Sequence, residues 1–229
     1  MGKRFYFGNI ETDISQATAI QAGEEGHIII FNSSQLKNDR LITELKDKSI
    51  EYVELTFNQT DREGTQIAFN NLYSNYGKVD AFVFDFQIQS LNDLDLDQYS
   101  TLEQYTSGYA KSLYWQYEII QKLLVGQDEA DLIQLMCLPE EERIFNSLTY
   151  RAVSSLIEDM YYRFSDSREM EFVRTTRIEY NRAYLENIDS IEKAEYTPND
   201  VAQVVLNTLM TNKRVHVEEI FIKPSKRKS

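Results

Sequence analysis

Few residues in this 229-residue chain carry chemistry on their own, and those that do are scattered. The two histidines, His27 and His216, fall in separate strand-like stretches among apolar neighbours and make no metal site. The single cysteine, Cys137, excludes an internal disulfide and a cysteine-rich zinc site, and its default role is a small buried hydrophobe. No serine stands in a nucleophile elbow. The acidic runs 92–97 and 127–131 lack calcium-loop spacing and read as solvated loops. Arg174, Arg177 and Arg182 lie on and after a strand-like stretch, where they would face a cleft and could grip an anion. In a chain with surplus acids, pairing with those acids accounts for them better.

Charge and composition narrow the rest. Lysine and arginine number 24 against 37 acids, so the net charge is 24 − 37 = −13, which repels phosphate backbones and excludes nucleic acid as a partner. A hydrophobic fraction of 42% excludes disorder and suits a single domain over residues 1–229. No apolar run approaches the ~20 residues that span a bilayer, and the first residues do not form a signal peptide, so the expected location is the cytoplasm. Only the tail 223–229 is basic, as a solvated end often is. With 8 glycines in all, the chain cannot rely heavily on glycine-rich phosphate loops.

The elements that must position any site alternate from end to end. Residues 4–8, 27–32, 51–57, 80–86, 131–137, 170–176 and 215–222 are short, β-branched or aromatic, and read as strands. Between them, 14–22, 36–47, 63–76, 101–124, 148–164 and 199–210 place apolar residues at helical spacing. Asp61, Ser100 and Thr197-Pro198 supply helix starts. This order predicts an α/β, Rossmann-like, doubly wound and mostly parallel seven-stranded sheet with helices on both faces. Residues 178–196 lack a clear periodicity and are expected to form an irregular lobe over the cleft.

In such a sheet ligands bind beyond the carboxyl ends of the strands, so the first turn matters most. It runs Gly8-Asn9-Ile10-Glu11-Thr12-Asp13-Ile14-Ser15, and with its following helix it resembles the short-chain dehydrogenase/reductase family, whose turn is T-G-x-x-x-G-x-G. Gly8 stands for the Thr, and Asn9, Asp13 and Ser15 for the three glycines. Asn58-Gln59-Thr60-Asp61 resembles the family's D-V-T-D, and Tyr76-Gly77-Lys78-Val79-Asp80 its Y-G-K-I-D. Phe84-Asp85-Phe86-Gln87 occupies the place of N-N-A-G. The close, from Thr197 to Pro224, resembles the family's last helix and strand, so the likeness covers nearly the whole chain. It implies that Tyr150 stands at the active-site Tyr of Y-x-x-x-K, Ser154 at its Lys, Cys137 at the catalytic Ser and Tyr109 near the helix Asn.

The departures from that pattern all fall on function. Asp13 sets a carboxylate where a pyrophosphate would sit and is expected to cap the helix itself. Ser15 adds a side chain where helix and strand pack closest. Phe82, Phe84 and Phe86 share one strand face, and such a stripe reads as helix-packing core, although at the strand end it would also fill the cofactor's space. A tyrosine without a neighbouring lysine titrates near ~10 and is a poor base at neutral pH, so Tyr150 reads as structural. The end of the second strand, Phe31-Asn32-Ser33-Ser34, has neither an acid that marks NAD nor an arginine that marks NADP.

Two readings follow. In one, the chain keeps the family's scaffold, has lost NAD(P) binding and catalysis, and acts in binding, scaffolding or regulation. In the other, it is a divergent NAD(P)H-dependent oxidoreductase acting on a carbonyl or alcohol. Tyr105, Tyr109, Trp115, Tyr117, Tyr161 and Tyr162 crowd the 101–124 and 148–164 helices. In the resembled family these helices form a self-association surface, so a homo-oligomer is expected, or a hetero-oligomer with an active relative. Intramolecular packing against the sheet is the equal alternative for these aromatics.

Overall fold

The structure, a computed structural model, describes residues 2–36, 39–58, 61–86, 111–125, 129–138, 148–165, 172–181 and 196–223. Strands β1 (Arg4–Phe7), β2 (Ile28–Asn32), β3 (Tyr52–Leu55), β4 (Ala81–Phe86), β5 (Ala130–Leu138), β6 (Val173–Asn181) and β7 (Glu219–Ile222) form one sheet in the order β3-β2-β1-β4-β5-β6-β7. Every pairing in it is parallel. Helices α1 (Asp13–Glu24), α2 (Arg40–Asp47), α3 (Arg62–Tyr76), α4 (Lys111–Leu124), α5 (Leu148–Ser165) and α6 (Pro198–Met210) lie between the strands.

Burial explains which strands alternate and which do not. All of β2 and β4 is buried, because helices cover both faces of the central strands. The edge strands β3 and β7 show the alternation of half-covered strands. One apolar layer gathers Tyr6, Phe69, Phe82, Phe84, Tyr117 and Ile157 under α3, α4 and α5. The other gathers Phe5, Phe7, Ile14, Leu41, Val83 and Val205 under α1, α2 and α6. The three phenylalanines of β4 thus pack as core, with Phe84 and Phe86 stacked at 6.0 Å and Tyr117 lying 4.8 Å from Phe84.

Helix ends follow their sequence signals. Asp61 caps α3 by accepting from the Glu63 amide, and Gly77 closes it at φ 81°. Thr197 and Asp200 form a reciprocal capping box on α6, with Pro198 in the first turn.

Several boundaries differ from the sequence reading. Strand β6 starts at Val173 and runs on to Asn181, so 178–181 is strand and not lobe. Its charged positions hid it: Arg177 and Glu179 lie two apart on one face and pair with each other, so both sit half-buried without breaking the strand. Helix α2 begins at Arg40 and not at residue 36, because Ser33–Gln35 forms a separate 3-10 turn closed by the Asn32 side chain. Strand β7 is only Glu219–Ile222, which leaves His216 outside it, and His27 likewise precedes β2. Residues 101–110, 182–195 and 224–229, with the expected Ser100 cap, Arg182 and the basic tail, lie outside the described residues.

Candidate site at the carboxyl edge of the sheet

The β1–α1 turn is held shut by its own residues. The Gly8 amide donates to the Val83 carbonyl at 2.8 Å, extending the β1–β4 ladder by one step. A Cβ built on Gly8 would lie 2.1 Å from two atoms of the Phe84 ring, so the ring fills the space over this residue. Asn9, 4% exposed, donates from Nδ2 to the Asp85 carbonyl at 2.7 Å and fastens the turn to the end of β4. Asp13 is not the helix cap. Thr12 is: its hydroxyl accepts from the Ser15 amide at 3.1 Å, and Asp13 is the exposed first residue of α1. Thr12 wins because its extended backbone aims Oγ1 at the third amide of the turn, whereas Asp13 is already helical. Ser15 is fully buried against the sheet, and its hydroxyl finds no partner.

The end of β2 is knotted in the same way. Asn32 is completely buried and donates from Nδ2 to the Phe57 carbonyl at 2.9 Å. Its Oδ1 accepts from the Ser34 hydroxyl at 2.8 Å, the Ser34 amide at 3.2 Å and the Phe57 amide at 3.4 Å. The Ser34 hydroxyl in turn donates to the Phe57 carbonyl at 2.8 Å. Asn58 follows as an exposed residue whose carbonyl accepts from the Asp61 amide.

A buried polar group that the sequence did not reveal lies across β4, β5 and β6. Tyr180, wholly buried, donates to the Asp85 carboxylate at 2.9 Å. Cys137 lies opposite Tyr180 in the β5–β6 ladder and interacts with its hydroxyl. Burial raises the Tyr180 phenol well above its ordinary range, and the Asp85 carboxylate and Cys137 add to the rise. Next to it, the Tyr196 hydroxyl accepts from the Asn181 amide at 2.8 Å and donates to the same residue's carbonyl, which ties off the end of β6. A neutral phenol held this way can donate a hydrogen bond and cannot serve as a base near neutral pH. Tyr180 escaped notice because its segment carried no strand signal.

The remaining expected site residues are dispersed. Tyr150 lies in the first turn of α5, with its side chain outside the described atoms; Tyr109 and Gln87 are outside altogether. Ser154 stands one turn further on, its hydroxyl buried and without a partner among the described residues. Cys137 is 4% exposed on the face opposite Phe86. Arg174 and Arg177 do not face the cleft. Arg174 is at the amino end of β6, where Nε meets Asp131 at 2.7 Å and Nη1 donates to the carbonyls of Thr211, Asn212 and Val215. Lys213 takes the other Asp131 oxygen at 2.7 Å. Arg177 pairs with Glu158 on α5 at 3.1 Å and with Glu179. Nδ1 of His27 accepts from the Lys3 amide at 3.2 Å, and Nε2 of His216 bonds the Thr175 carbonyl at 2.7 Å. Among the described residues no cluster of His, Cys, Asp and Glu could hold a metal ion, and no helix is long and apolar enough to cross a membrane. Of the aromatics, Tyr117 and Tyr161 are buried, while Tyr162 is exposed.

The sequence matches no protein-family profile and no curated protein. In three dimensions the chain is similar over its whole length to many solved structures. An alcohol dehydrogenase from the archaeon Thermococcus sibiricus, complexed with 5-hydroxy-NADP, superposes with a TM-score of 0.73 at 14% identity, covering 100% of this chain and 99% of that one. A metagenomic short-chain oxidoreductase in complex with NADP gives 0.73 at 11% identity, covering 99% of each. A β-ketoacyl-[ACP] reductase from Bacteroides thetaiotaomicron gives 0.71 at 14% identity, covering 98% of each. The chain has the fold of the short-chain dehydrogenases/reductases.

Proposed function

We propose that this chain is a short-chain dehydrogenase/reductase-like protein that has lost NAD(P) binding and hydride transfer, and that it acts as a single-domain binding, scaffolding or regulatory protein. The observation that carries this reading is the Phe84 ring packed over Gly8. A dinucleotide needs close approach to the backbone of that turn and donors turned toward its phosphates. Here the Asn9 carboxamide and the Thr12 hydroxyl are engaged within the protein, and Asn32 is consumed by Phe57 and Ser34. These residues do not fit the group, so no cofactor is expected. Ser154, in place of a lysine, supplies no ammonium to lower the Tyr150 phenol.

The end-to-end likeness to enzymes solved with NADP and 5-hydroxy-NADP favours a second reading, a divergent NAD(P)H-dependent oxidoreductase acting on a carbonyl or alcohol. Calorimetric titration with NADH and NADPH, with thermal unfolding in parallel, separates the two. The first reading expects no saturation at millimolar cofactor and no rise in melting temperature. Saturable micromolar binding with a raised melting temperature overturns it.

A homo-oligomer through α4 and α5 belongs to the same proposal. The exposed ring of Tyr162 on α5 supports it, as does a recess of about 30 Å³ between Tyr114, Gln121, Met160 and Arg163. Light scattering on the purified chain tests it: a monomer removes the homo-oligomer and leaves a hetero-oligomer with an active relative to be sought by co-purification. The acidic surface stands against nucleic acid, and a cytoplasmic location is part of the proposal.

A further inference from the structure

The underside of α5 buries Ile157 and Met160 in the core, but polar groups interrupt it. Glu158 meets Arg177, and the Tyr161 hydroxyl donates toward the Thr175 carbonyl at 3.5 Å, so α5 descends β6 as its own numbering rises. Along that descent four buried polar atoms find no partner among the described residues: Ser154 Oγ, Gln134 Oε1, Arg177 Nε and Thr175 Oγ1. Gln134 and Arg177 face each other across the β5–β6 ladder. Thr175 lies two residues before Arg177, on the same face of β6. Ser154 lies one turn before Glu158, so the eight helical residues from Ser154 to Tyr161 carry the series over about 10 Å.

The four atoms complement one another through an intermediary. Gln134 Oε1 only accepts and Arg177 Nε only donates, while each hydroxyl does both. Oε1 and Nε do not bond each other although their residues are ladder partners, so a group offering both a donor and an acceptor between them would satisfy both. Gln134 Nε2 donates to the Tyr117 hydroxyl at 2.7 Å, and Tyr117 also lines the recess between α4 and α5. A buried polar group without a partner costs about 1–3 kcal/mol, and several along one helix seat would be a heavy burden on a domain. We infer that the seam between α5 and the β5–β6 floor is an internal water-binding site, centred on Gln134 and Arg177 and extended by Ser154 and Thr175.

Water relaxation dispersion on the intact protein, compared with a Ser154→Ala, Thr175→Val double variant, tests this. Both substitutions nearly preserve shape and remove only hydroxyls. The expected result is a long-lived internal-water signal in the parent that shrinks in the variant, together with a melting temperature lower by ~2–4 °C per substitution. An undiminished signal, or no such signal in the parent, overturns the inference. A dry seam would also show itself by a raised melting temperature, since each substitution would then remove an unsatisfied group. If the double variant fails to fold, Thr175→Val alone is read by the same criteria.

Discussion

Gly8 and Phe84 form a matched pair: the ring of one stands where the Cβ of any other residue would stand on the other. The glycine opening the first turn is therefore a packing concession to a phenylalanine on the neighbouring strand. Gly8→Ala should destabilise the fold by ~1–3 kcal/mol through overpacking. Combined with Phe84→Leu it should be less harmful than the sum of the two single changes, and a double-mutant cycle in urea measures the difference.

Asn32→Asp replaces the carboxamide with the acid that marks an NAD site, at nearly constant shape. Nδ2 of Asn32 faces the Phe57 carbonyl in a fully buried place, so the substitution sets a carboxylate against a carbonyl oxygen. A loss of ~2–3 kcal/mol is expected, read as a lower urea midpoint with an unchanged slope, and no gain in NADH binding.

Tyr180→Phe removes a donor from the buried Asp85 carboxylate, with an expected loss of ~1–3 kcal/mol. Because burial holds the Tyr180 phenol well above its usual range, its tyrosinate absorption should emerge only as the protein unfolds in alkali. An alkaline difference spectrum of the parent against Tyr180→Phe reads this directly.

Ser154→Lys restores the pattern of an active Tyr-x-x-x-Lys pair in sequence, but Ser154 Oγ is buried beneath α5. Glu158, the acid one turn on, is already paired with Arg177, so an ammonium there would be poorly compensated. The variant should melt below the parent and oxidise no NADPH with carbonyl substrates, whereas turnover in an absorbance assay would revive the oxidoreductase reading.

His27 links stability to pH. Burial lowers its pKa below the ordinary 6.5, although Glu25 pulls the other way, and Nδ1 accepts from the Lys3 amide, which a protonated ring cannot do. A lowered value in the folded state means the unfolded chain binds the proton first. The stability His27 contributes is therefore complete above pH ~6.5 and is lost as pH falls from there through the folded value. Proton NMR titration should place the folded midpoint below 6.5, and His27→Gln should flatten the stability profile in that window.

The sequence announced the sheet because two-sided burial leaves continuous apolar runs such as Ile28–Phe31 and Ala81–Phe84, bounded by turn residues. The carboxyl half of β6 was hidden because Arg177 and Glu179 neutralise each other on one face, a pairing that period-two patterning reads as a break. At the site, each departure from the family pattern was visible singly: Gly8, Asn9, Asp13, Ser15, Phe84. That two of them compensate was not, since Gly8 and Phe84 belong to strands joined only in space. The cap fell to Thr12 because backbone conformation, which composition does not record, decides which of two adjacent oxygen-bearing side chains reaches the amides. The Asn32–Phe57 knot and the Asp85–Tyr180 bond are long-range pairings of the same kind.

The central place of β1 has a consequence for how the chain emerges from the ribosome. Its inner neighbour β4 lies far downstream: the Arg4 amide is bonded to the Asp80 carboxylate, 76 residues away. Until β4 is synthesised, the segment Phe5-Tyr6-Phe7 can be covered only on the side of β2, and its other edge stays open with three aromatic side chains. Parallel pairing over such a separation is slow, and an open aromatic edge invites association with other nascent chains. Of the strands in this sheet, β1 is thus the one that waits longest for a partner, and its open edge persists through the passage from residue 7 to residue 81.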